Sequence, residues 1–185
     1  MAAPAKAMLS LQLAVGVATG RGWIGRAVSG GRVIYMSAED DDDELHRRLD
    51  DILQADGRIY DDLHGLTLRS VAGEDALLAV DSQMALMQSE LFKELDARAA
   101  DANPTLIVFG TLADVYPANE YDRAKVRQFI GILLGLALKR NCAVLLLGHP
   151  VSYRFVQRNG FLWIYGLEQL GSVASLSIPD HRQRL

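Results

Sequence analysis

The 185-residue chain is short of cysteine, of positive charge and of long apolar runs. Its single cysteine, Cys142, excludes a disulfide framework and points to a reducing compartment. Inside an apolar run, that residue reads as a small buried hydrophobe. Lys and Arg number 19 against 23 Asp and Glu, a net charge of −4, so bulk charge gives nucleic-acid binding no support. The apolar stretch 7–18 is too short to span a bilayer, and no basic segment precedes it. The reading is therefore no signal peptide, no membrane association and a cytoplasmic location. The four histidines, His46, His64, His149 and His181, show no metal-ligand spacing. No internal repeat or low-complexity segment stands out.

What is present is an alternation of helix-like and strand-like segments. Residues 7–18 read as an apolar helix with Lys6 just before it, stopped by Thr19-Gly20-Arg21-Gly22. Trp23 and Ile24 look like a packing patch in the loop that follows. Residues 32–36 read as a buried strand and residues 41–53 as a helix. Acidic residues fill the first turn of that helix, Arg47 and Arg48 come later, and Gly57 closes it. Residues 66–71 predict a strand, 74–88 are ambiguous, and 90–100 predict a helix broken by Asn103-Pro104. Residues 105–109 predict a strand, 122–140 a long helix capped by Asn141, and 143–147 a third buried strand. Two more strands are predicted at 161–165 and 173–178. Strands apolar throughout and alternating with helices indicate one α/β domain over residues 1–185. Its sheet is mostly parallel, with helices on both faces.

Ligands of such sheets bind beyond the carboxyl ends of the strands. The polar residues there are Glu39 with Asp40, Thr111 with Asp114, and His149, joined by Lys6 from the start of the first helix. A carboxylate at a strand end orients or deprotonates an attacking water, and a lysine neutralises phosphate charge.

The stretches "MLSLQLAVGVATG", "GRVIYMSAEDDDDELHRRL", "TLADVYPANEYDRAKVRQFIGILLGLA" and "CAVLLLGHP" carry a resemblance. They look like the RecA-like P-loop ATPases near the hexameric plasmid replicative helicases of the RepA type and related phage ATPases. The resemblance covers roughly residues 3–150, while 151–185 diverge. It implies a RecA-like fold, ATP and Mg²⁺ as ligands, and a role in DNA replication. It also matches Lys6 to the P-loop lysine, Glu39 to the water-activating glutamate and His149 to the phosphate-sensing polar residue.

The same comparison exposes departures. In the pattern G-x-x-x-x-G-K-[ST], the last Gly falls on Ala5, the hydroxyl residue on Ala7 and the first Gly ahead of Met1. Alanine has no oxygen for Mg²⁺, and Pro4 lacks an amide donor for phosphate. The Walker B carboxylate falls on Gly110, with Asp114 or Asp40 as the weaker metal candidates. The basic residues that the family carries near its later strands fall in 172–176, where there is no arginine. The strand expected before the P-loop is missing, which predicts a rearranged strand order, a homo-oligomer or a completing partner segment. The expected function is an ATPase-family domain with impaired or lost hydrolysis, acting as a scaffold or assembly module. A working helicase-type ATPase and a non-nucleotide module built on Phe155, Phe161, Trp163 and Tyr165 are the competing readings. Single-stranded DNA as a partner is implied by the resemblance alone.

Overall fold

The computed structural model describes residues 3–82, 85–119, 121–148 and 162–165. Helix α1 (Ala3–Thr19) comes first, then strand β1 (Val33–Ser37) and helix α2 (Asp42–Asp56). A 3-10 turn at Tyr60–Leu63 leads into β2 (Leu66–Ser70). The ambiguous region resolves into a hairpin, β3 (Ala79–Asp81) and β4 (Leu86–Gln88). Then follow α3 (Glu90–Ala102), β5 (Leu106–Thr111), the short α4 (Leu112–Val115) and α5 (Arg123–Arg140). The described chain closes with β6 (Ala143–Leu147) and β7 (Leu162–Tyr165).

The main sheet has the order β2-β1-β5-β6-β7, in which the first four strands run parallel and β7 is antiparallel to β6. The strands β1, β5 and β6 are buried along their whole length, as their uninterrupted apolar runs require. Side chains alternate between two cores. Val33 and Tyr35 of β1 meet α1 and α2 on one face, while Ile34 and Met36 meet α3 and α5 on the other. The result is the mostly parallel α/β sheet with helices on both faces that the sequence predicts, consistent with a RecA-like fold. The outer edge of β6 is taken by β7, from the chain's own later residues.

Local chemistry accounts for the helix limits. Asp41 caps α2 by accepting from the Glu44 amide. Gly57 ends α2 at φ 63° and returns its amide to Leu53 and Gln54. Asn103 and Asn141 take the same left-handed conformation after α3 and α5. The inward face predicted for α5 holds: Phe129, Leu133 and Ala137 are buried, and Val126 and Ile130 pack against the same core. Cys142 is buried, and burial, opposed by Arg140, pushes its thiol up to about 11.

Three expectations are corrected. Helix α1 starts at Ala3, so Lys6 stands in its first turn rather than before it. Proline is tolerated in the first turn of a helix, and the alanines around Pro4 favour helix over a phosphate-wrapping loop. The Trp23-Ile24 patch splits. Trp23 packs on the α1 side of the core, but Ile24 is 64% exposed. Ile24 and Gly25 form a two-residue turn with φ 48° and 69°, closed by paired Trp23 and Arg26 backbone bonds. That geometry points the Ile24 side chain outward. Finally, the strand predicted over 66–71 ends at Ser70, where Ser70 turns its hydroxyl onto the Asp40 carbonyl. The strand predicted at 173–178 lies outside the described residues.

Candidate functional site

Because β1, β5 and β6 are adjacent and parallel, their carboxyl ends share one edge of the sheet. Glu39 follows β1, Gly110 and Thr111 end β5, and Gly148 follows β6. Lys6 reaches this edge from α1: its ammonium donates to the Gly148 carbonyl at 2.5 Å. The topology therefore brings Lys6, Glu39, Gly110 and Asp114 to the same end of the sheet. His149 lies outside the described residues.

The turn that carries Glu39 is fixed on both sides. The Asp40 amide donates to the Ser37 hydroxyl at 3.1 Å, and the Ser70 hydroxyl donates to the Asp40 carbonyl at 2.9 Å. The Asp40 carboxylate pairs with Arg48 at 2.8 Å, with side chains only 11% and 13% exposed. Burial, against the opposing pull of Arg48, holds the Asp40 carboxyl above its ordinary value. Arg48 also pairs with Glu44 at 2.7 Å, and Glu44 with Arg47. The Arg47 and Arg48 hydrogen bonds hold the half-buried Glu44 carboxyl down to about 2. Glu39 itself is exposed at the edge.

On the β5 side, a Cβ at Gly110 would stand 3.2 Å from the Ala38 amide nitrogen and 3.6 Å from the Met36 carbonyl. The backbones of β5 and the turn after β1 close on each other there, which favours glycine. The Thr111 hydroxyl donates to the Asp114 carboxylate across the start of α4. On the helix side Ala7 is buried, and its carbonyl accepts from the Ser10 hydroxyl at 2.9 Å and the Tyr35 hydroxyl at 3.4 Å. Ser10 and Tyr35 also bond each other at 3.0 Å, and burial raises the Tyr35 phenol despite that bond.

The resemblance places Mg²⁺ against residues 7 and 110, and neither side chain there offers an oxygen. Among the described residues, no group of three or more His, Cys, Asp or Glu is gathered to hold a metal. Asp40 is committed to Arg48 and Asp114 to Thr111. These residues do not fit a Mg²⁺ shell.

The sequence names the strand-end residues but not what holds them. Arg48 and Ser70 make no motif with Asp40; of their contacts, only the Glu44–Arg48 spacing of four on a helix was legible. The Ser10–Tyr35 contact joins residues far apart in the chain and leaves no sequence pattern.

A parallel α/β sheet with a lysine brought from the first helix to its carboxyl edge is the architecture of the P-loop ATPase class. The chain belongs to the AAA domain family, whose description matches residues 3–151, well over half of its length. No curated protein matches it. Among the described residues, no helix is long and apolar enough to cross a membrane.

Proposed function

We propose that this chain is an ATPase-family domain whose nucleotide hydrolysis is impaired or lost, serving as a scaffold or assembly module. The observation that carries the reading is Gly110. The position that the resemblance assigns to the metal-orienting carboxylate holds glycine, in a backbone approach with little room for a side chain. Ala7, buried with its carbonyl already bonded, supports the same reading at the second metal position. Phosphoryl transfer depends chiefly on preorganised charge around the transferring group. A site with Lys6 and Glu39 but no metal ligands supplies only part of that charge. Within this proposal the similarity to RepA-type helicases gives the ancestry of the site, and the assembly is a homo-oligomer. Single-stranded DNA remains the partner implied by that ancestry.

The second reading, a working helicase-type ATPase, is supported by the Lys6–Gly148 contact, which keeps the ammonium at the carboxyl edge of the sheet. The two separate in one pair of measurements. Steady-state assays with millimolar ATP and Mg²⁺ are expected to show no turnover above background. Turnover that Glu39→Gln abolishes would overturn the first reading. Titration calorimetry with Mg·ATP that gives no heat at millimolar nucleotide would count against the second.

A further inference from the structure

Away from the strand-end site, a cavity of about 380 Å³ opens between α3 and the edge strand β2. Its floor is apolar, formed by Ile34 and Met36 of β1 with Leu91 and Leu95 of α3. It continues past Arg69, Leu91 and Glu94 into a shallower trough that reaches Glu74, Asp75 and Glu90. Together they make one groove along α3, from Asp101 at one end to Asp75 at the other.

Charge on the rim is arranged unevenly. Each cation lining the groove is already neutralised by a carboxylate beside it. Arg69 pairs with Glu74 at 3.3 Å, Lys93 with Glu90 at 2.6 Å and Arg98 with Glu94 at 2.8 Å. Two carboxylates are left over, Asp75 and Asp101, one at each end of the groove and both exposed. Neither has a cationic partner among the described residues. Asp75 accepts the Leu77 amide at 3.1 Å.

The wall opposite α3 is β2, the edge strand of the main sheet among the described residues. Among the described residues β2 pairs only with β1, in continuous register without a bulge, and it carries no proline. No other described strand takes its outer backbone groups, which are of the kind a further strand can pair with. Helix α3 has 13 residues, so the groove is about 20 Å long at about 1.5 Å per residue. An extended strand rises about 3.3 Å per residue, so about seven residues span it, with both end side chains on one face.

We propose that this groove binds an extended peptide segment of a partner protein, apolar in its middle and carrying Lys or Arg near each end. The apolar side chains fill the floor against Leu91 and Leu95, the backbone adds to β2, and the terminal cations meet Asp75 and Asp101. The proposal stands independently of nucleotide binding, since the groove shares none of the strand-end residues.

The test uses the whole 185-residue chain and fluorescein-labelled synthetic peptides read by fluorescence anisotropy. The probe is RTVTLTR, whose end arginines share one face with its valine and leucine, and the control is ETVTLTE. Saturable binding of the first, and binding of the second at least about tenfold weaker, is the expected result. Asp101→Lys is expected to weaken RTVTLTR at least about tenfold, and Asp75→Asn, which keeps the bond to Leu77, to weaken it by a smaller factor. Thr67→Trp, which fills the cavity from the one exposed position of β2, is expected to remove binding. Circular dichroism confirms that each variant is folded. The proposal is overturned by an absence of saturable binding, by equal affinity for the two peptides, or by binding indifferent to Asp101→Lys or Thr67→Trp.

Discussion

The Asp40–Arg48 pair shows how one residue can serve the frame of a site without facing a ligand. Removing two charges from water is expensive, and the attraction between them offsets that expense only while both are present. Arg48→Met leaves the Asp40 carboxylate largely buried without its cation. The variant is expected to lose about 2–3 kcal/mol at pH 7, measured by urea unfolding. The sign of its pH dependence follows from Asp40, whose carboxyl is already raised by burial. Without Arg48 it rises further, so the folded state binds the proton more tightly than the unfolded chain. Stability is then lost as pH rises through the window between the unfolded and folded values. The deficit of Arg48→Met is therefore expected to shrink toward pH 4, and a deficit that grows on acidification would contradict this account.

Among the elements, α3 and α5 are joined by an ion triad as well as by their apolar faces. Asp96 of α3 pairs with Lys139 and Arg140 in the last turn of α5, each at 2.6 Å. Burial alone would raise the Asp96 carboxyl, but the bonds from Lys139 and Arg140 together outweigh it and hold it below its ordinary value. A depressed carboxylate stabilises the fold above its unfolded value and loses that contribution as pH falls through the folded one. Asp96→Asn is expected to lower stability by about 1 kcal/mol at pH 7, and the gap should close in acid. Parallel urea titrations at pH 7 and at pH 3 check this. A gap unchanged at pH 3 would mean that the loss comes from packing rather than charge. The same element scale explains the strand-end site: three parallel strands in adjacent positions deliver their following residues to one edge, whatever those residues are.

For the whole molecule, the main sheet has β2 at one edge and the antiparallel β7 at the other among the described residues. An open strand edge invites association. The homo-oligomer proposed above predicts a light-scattering mass that is a multiple of the chain mass. A stable monomer across a hundredfold range of concentration would remove it.

Much of the architecture was legible in the residues alone. The apolar runs at 33–36, 106–109 and 143–147 announce buried parallel strands, because a strand covered on both faces has no polar side to show. Gly57, Asn103 and Asn141 announce helix ends, because a left-handed residue disfavours most other side chains. The positions of Lys6, Glu39 and Asp114 at the strand ends were likewise readable from those segments, whereas Gly110 was singled out by the resemblance alone. Contacts between residues distant in sequence were not, because no local period records them. Tertiary structure alone decided that Lys6 bonds Gly148, that Arg48 occupies Asp40, that Tyr35 closes on Ser10, and that Gly110 stands against Ala38. Sequence determines which segments bury themselves, since burial follows side-chain type. Only packing determines which polar groups meet, since each must find its partner wherever the chain happens to return.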